Sequence, residues 1–166
     1  MTGRLLTPSK ITAWLDCAHY LTLKHQVDAS ALAVETAGFG SLAHLLVEKG
    51  LQHEADCLAE YRLRGLDVFE VPIQRNGESF SDWVDRVGNP LDSGHDVIYQ
   101  MPFIHKGVCG VADFLVRVGD PETGTCSYEP VDAKLARSEG RPGHVLQLIS
   151  TLCSFVEHCT PPARVL

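Results

Sequence analysis

The chain reads as a mixed α/β (α+β) fold, a small sheet flanked by helices. Two helix-patterned stretches open it, three strand-patterned runs joined by turn-rich segments follow, and a last helix pattern closes it. Its 166 residues suit one domain with a proper hydrophobic core, and 45% apolar with 21% charged residues is ordinary for a globular protein.

Thr7-Pro8 has the form of a helix start, with Thr7 as cap and Pro8 in the first turn. Ile11, Trp14, Leu15 and Ala18 follow at helical spacing, which predicts a helix to about His19. The 21–37 stretch reads as helix in its first part and loop afterwards. Leu42, Leu45, Leu46, Ala55, Leu58 and Tyr61 predict a long helix over 41–64, stopped by Gly65. A short strand at 67–71 ends before Pro72, and a short helix is expected around 81–86. Strands are predicted at 96–102, 108–118 and 127–135, antiparallel neighbours because 105–107 and 119–124 are turn-rich. The pattern at 144–158, bounded by Pro142-Gly143 and Pro161-Pro162, predicts the last helix.

Bulk features restrict the function. No apolar run is long enough to span a membrane, and Met1-Thr-Gly-Arg4 lacks the apolar region of a secretory signal, so the cytoplasm is expected. The six cysteines include no C-x-x-C pair, which suits reduced, mostly buried thiols rather than a disulfide framework or a zinc site. A formal charge of −7 argues against a general electrostatic grip on DNA, so any nucleic-acid contact must be a local patch. Lys134, Arg137 and Arg141 offer one.

Asp113 is a charge inside the apolar run Val111-Ala-Asp-Phe-Leu115, and Asp132 sits between Val131 and Ala133 in a second strand pattern. A lone buried carboxylate is expensive, so such residues usually have a partner or a metal. Strand alternation places Asp132 and Lys134 on one side. Two carboxylates and a lysine at one spot suit a divalent cation acting on a phosphate.

The order Gly110-x-x-Asp113, Asp132-x-Lys134, Gln147-Leu148 resembles the RecB-like branch of the PD-(D/E)xK nucleases, closest to RecB-family proteins of actinobacterial (mycobacterial) type. Gly50-Leu-Gln-His53-Glu54 resembles the helix carrying that family's metal-binding histidine, and Ser9-Lys-Ile-x-x-Trp-Leu-x-Cys17 its N-terminal helix. Asp96-Val-Ile-Tyr-Gln100 resembles the strand that opens its core sheet. The resemblance covers about residues 7–155 and implies a restriction-endonuclease-like core in one nuclease domain over 1–166, with N-terminal helices at 7–64 and the sheet and motif helix at 67–158.

It further implies that His53, Asp113, Asp132 and the carbonyl of Ala133 ligate Mg²⁺ or Mn²⁺. Asp113, Asp132, Lys134 and Gln147 would be the catalytic set, Lys134 orienting or deprotonating the attacking water. Lys134, Arg137, Arg141 and Thr151 would contact nucleic acid. The activity implied is hydrolysis of DNA, single-stranded or with free ends, in repair or recombination, with a helicase as partner or fused neighbour. The mode, from ends or internal, stays open. Gly40-x-x-x-His44 also fits the family's spacing, but His44 and His53 fall on opposite helix faces, and His53 is followed by Glu54 as in the relatives. Glu54 itself reads as a surface or supporting residue.

Two departures from the family stand out. Relatives carry a tyrosine where this chain has Thr151, which keeps a hydroxyl and loses the stacking ring. Relatives also continue past the motif helix, so a truncated paralogue or the first part of a larger protein is expected. The alternative to an enzyme is a weak or inactive nuclease-fold module that binds DNA or a helicase. Cys17 matches the first ligand of an iron–sulfur cluster found in some relatives, but the later cysteines do not complete the set; no cluster is expected, and Cys17 reads as a buried thiol.

Overall fold

The computed structural model describes residues 5–33, 40–120, 125–133 and 164–165. The fold is α+β. Three helices come first: α1 (Pro8–Asp16), α2 (Tyr20–Asp28) and α3 (Ser41–Leu63). Then come β1 (Val68–Glu70), α4 (Phe80–Val87), a 3₁₀ turn (Pro90–Ser93), β2 (Val97–His105), β3 (Val108–Asp120), β4 (Thr125–Asp132) and β5 (Arg164–Val165). The five strands form one mixed sheet in sequence order, parallel at β1–β2 and β4–β5 and antiparallel at β2–β3 and β3–β4.

The local causes follow known stereochemistry. Thr7 caps α1 by accepting from Lys10 N, and Ser79 caps α4 by accepting from Asp82 N. The chain leaves α1 at Cys17, whose extended backbone (φ −149°) ends the helix earlier than the apolar spacing to Ala18 predicts. That cap position also exposes Cys17, so the expected buried thiol is corrected, whereas Cys109 is buried. Gly65 takes φ +75° just after α3, as a C-terminal stop requires. Lys106 and Gly107, both at positive φ, close the β2–β3 hairpin in the sense that matches strand twist. The predicted extension of β4 to residue 135 and the helix at 144–158 lie outside the described residues.

Two apolar clusters occupy opposite faces of the sheet. Leu58 and Tyr61 of α3 meet Val97, Phe114 and Val131 on one side. Trp83 of α4 belongs to one cluster with Ile98, Met101, Phe103, Ala112, Leu115 and Tyr128 on the other. Each large side chain withdrawn from water contributes about 1.5–3 kcal/mol. Only the C-terminal half of α3 joins this packing: Leu42, Leu46 and Leu51 at its other end are exposed.

Cluster membership shows where strand alternation fails. Residues three apart on a strand should face opposite ways. Yet Ile98 and Met101 share a cluster, and so do Ala112 and Leu115. Register is unbroken on either side, with Tyr99 opposite Phe114 and Met101 opposite Ala112. The reversal therefore falls at Gln100 and Asp113, which stand between those pairs, and Gln100 has φ +61°. A left-handed backbone at a non-glycine residue costs on the order of 1–2 kcal/mol.

Gly110, opposite Phe103, shows a second constraint. A Cβ there would sit 2.8 Å from Phe103 Cζ and 3.6 Å from Pro8 Cδ. Phe103 is buried in the core, so its ring cannot swing away freely. Gly110→Ala is expected to lower stability in urea unfolding by about 1–3 kcal/mol, with Phe103→Leu recovering part of that loss in the double variant. An unchanged midpoint in the single variant would contradict this packing.

Candidate functional site

Asp113 leaves β3 where the alternation reverses, and its Oδ2 accepts from Ala133 N at 2.9 Å. The carboxylate thus stands at the peptide that follows Asp132. The β3–β4 register, Phe114 opposite Val131, brings Asp113 and Asp132 next to each other along the two strands. Asp132 is buried, with 3% of its surface exposed. The structure therefore places Asp113 and Asp132 side by side, with the Ala133 N–H, not its carbonyl, turned to the Asp113 carboxylate.

α3 supplies the next shell of side chains. Glu54 accepts a hydrogen bond from Gln100 Nε2, linking the helix to the reversed point of β2. Tyr99 lies between acids: burial first, then the Glu54 carboxylate beside its hydroxyl, then the charge of Asp113, push its pKa up to about 12. Glu54, half-buried, thus takes the supporting of the two places the sequence left open to it. The sequence signals for it were its place after His53 in the family-like motif and on the face it shares with Leu58 and Tyr61.

His53 is half-buried, and its Nε2 lies 3.9 Å from Cys57 Sγ one turn further on. Burial pushes the Cys57 thiol up, helped by Glu60, Asp56 and Glu54. His44, the rival histidine, is exposed. Among the described residues, no three His, Cys, Asp or Glu side chains are grouped so as to hold an ion, so His53 does not complete a triad with the two aspartates there. Lys134, Arg137, Arg141, Gln147 and Thr151 lie outside the described residues.

Beside Glu54 and Gln100 a cleft opens, bounded by the loop between β1 and α4. A latch shapes that loop: Arg86 Nε donates to Glu78 Oε1 at 2.7 Å, and Arg86 Nη2 donates to the Ile73 carbonyl at 3.0 Å. The Arg86 hydrogen bond, with support from the Arg75 backbone, holds the Glu78 carboxyl at about 2 instead of its ordinary 4.5. Trp83 Nε1 donates to the Pro72 carbonyl at 2.8 Å and fixes the opposite wall.

Comparison with protein-family models, with curated proteins and with solved structures finds no match for this chain in any of the three. No helix among the described residues is long and apolar enough to cross a membrane.

The pairing of Tyr99 with Glu54 is open to direct titration. Tyr99 is raised in the folded chain, so its contribution to stability is present below pH 10 and lost as pH rises through about 12. In an ultraviolet difference titration, Glu54→Gln should bring this high-pH tyrosine step down towards 10. A step that stays in place in the variant would show that Glu54 does not act on Tyr99.

Proposed function

We propose that this chain hydrolyses DNA phosphodiester bonds with a divalent metal ion, as the RecB-like resemblance implies. The observation that carries the reading is the Asp113 Oδ2 to Ala133 N hydrogen bond. It draws one acidic side chain, from the middle of β3, to the peptide that follows another at the end of β4. A mixed sheet with helices on both faces also suits the restriction-endonuclease-like core that the resemblance implies.

Asp113, Asp132 and the Ala133 carbonyl are hard oxygen donors of the kind Mg²⁺ or Mn²⁺ takes, and these residues would hold it. A bound ion would lower the pKa of its water from about 15.7 towards neutrality and offset charge at the scissile phosphate. The chain's own groups do the rest. Ala133 N fixes the Asp113 carboxylate, and Tyr99, protonated throughout the neutral range, remains a hydrogen-bond donor beside it. Lys134 follows directly in sequence, and its proposed role is to orient the attacking water. The same reading gives Gln147, Arg137, Arg141 and Thr151 their substrate contacts, makes His53 a further ligand, and sets the protein in the cytoplasm with DNA that is single-stranded or has free ends.

A second reading has a specific observation in its favour. His53 lies beside Cys57 and, among the described residues, outside any three-residue group, which suits a weak or inactive module that binds DNA or a helicase.

Digestion of plasmid and linear single-stranded DNA with Mg²⁺, Mn²⁺ or EDTA distinguishes the two. Cleavage should require the metal, and Lys134→Ala or Asp113→Ala should reduce it by about a hundredfold or more. Cleavage that survives EDTA, or is equal in Lys134→Ala, would refute the enzyme reading. Metal-independent DNA binding without cleavage would favour the second.

A further inference from the structure

We infer that the cleft beside Glu54 is a subsite for an unpaired nucleobase, guanine above all. Its setting in a DNA-cleaving protein rests on the proposed function; its chemistry does not.

The cleft has a volume of about 360 Å³ and lies between α3, β2 and the loop after β1. That is within the range of small-molecule sites. Charge decides what can enter. Among the described residues no Lys, Arg or His lines it, and the charged groups that do are Glu54 and Glu70, the latter ion-paired with Arg62. With Glu70 neutralised by Arg62, the Glu54 carboxylate sets the charge of the described lining and disfavours a phosphate or carboxylate. The occupant must be uncharged or cationic, with N–H groups to offer.

The walls and floor narrow it further. Trp83 and Ile73 provide an apolar wall, and Ile73 is 84% exposed at the lip, ready to cover one face of a flat ring. The loop holding Ile73 is fixed through its own carbonyl by Arg86. Glu54 lines the cleft with its carboxylate anchored by Gln100 and the Tyr99 hydroxyl, and Gln74 lines it as well. Gln74 is itself oriented, its Nε2 donating to the Glu78 carbonyl at 2.7 Å.

An anchored carboxylate accepts best from two adjacent N–H donors. Guanine presents such a pair, N1–H and the 2-amino group, on its Watson–Crick edge. Adenine and cytosine each set an amino group beside an acceptor. Uracil and thymine flank one N–H with two carbonyls that a carboxylate repels. The Watson–Crick edge is free only in an unpaired strand, so the subsite selects single-stranded nucleic acid and leaves the phosphates outside.

The test uses nucleosides, which carry no phosphate and need no metal. Trp14→Phe leaves Trp83 as the one tryptophan, and its fluorescence reports binding of guanosine, inosine and uridine. Guanosine is expected to bind at least about tenfold more tightly than inosine, which lacks the 2-amino group, or uridine. Glu54→Gln, with far-UV circular dichroism unchanged, should erase the preference for guanosine. Ile73→Ser, at an exposed position, should weaken all nucleosides alike and decides the matter if Glu54→Gln does not fold. Equal affinities, an unaltered preference in Glu54→Gln, no effect of Ile73→Ser, or no fluorescence change with any nucleoside would overturn the inference. Asp113→Asn separates it from the nuclease reading: guanosine binding should persist in that variant. Binding by a wild type that cleaves no DNA would leave the subsite standing and remove the enzyme; cleavage without binding would do the reverse.

Discussion

The backbone reversal at Gln100 is the feature on which the rest of the site depends. A regular β2–β3 hairpin would alternate its side chains along both strands without interruption. Here the phase changes once, at Gln100 and at Asp113 opposite, while the pairs on either side stay in register. The cost is one residue at φ +61°. The return is that Asp113 reaches Ala133 N, and Gln100 reaches Glu54. Local departures from regular pairing often re-aim a side chain next to a site of chemistry.

The reversal persists because the packing around it is tight. Ile98 and Met101 are held in one apolar cluster, Val97 and Phe114 in the other, and all four are buried. Restoring regular alternation would turn Met101 and Phe103 out of the α4-side core. The Phe103 ring against Gly110 fixes the far end of the hairpin in the same way. The two faces have separate tasks: α4 and its latched loop shape the cleft, and the C-terminal half of α3 brings Glu54 to the sheet. The exposed leucines of the other half of α3 take no part in this packing.

Much of the scaffold was legible in the chain. Thr7 announced its helix through capping chemistry, and the antiparallel pairing of β2, β3 and β4 followed from the turn-rich segments at 105–107 and 119–124. Asp113 and Asp132 were legible as charges in apolar strands, and their adjacency is a matter of register. Other features carried no local signal. Glutamine in Tyr99-Gln-Met101 gives no hint of a left-handed backbone, which tertiary packing imposes. Glu54 read as either a surface or a supporting acid, and only the sheet beneath it, through Gln100, selects the second. The leucines at 42 and 46 kept helical spacing without being buried, since spacing defines a face and not what covers it. Cys17 read as buried from a motif, whereas its place at a helix end turns it to solvent.

Comparing Gln100→Gly with Gln100→Ala tests the reversal most directly, because both lose the amide and differ only in backbone freedom. In an ordinary strand glycine is the less stable of the two by about 0.5–1 kcal/mol. At φ +61° the order should invert, Gln100→Gly unfolding in urea with a stability about 1 kcal/mol above that of Gln100→Ala. If alanine proves the more stable, the backbone at residue 100 is regular, and the placement of Asp113 and Glu54 must be explained another way.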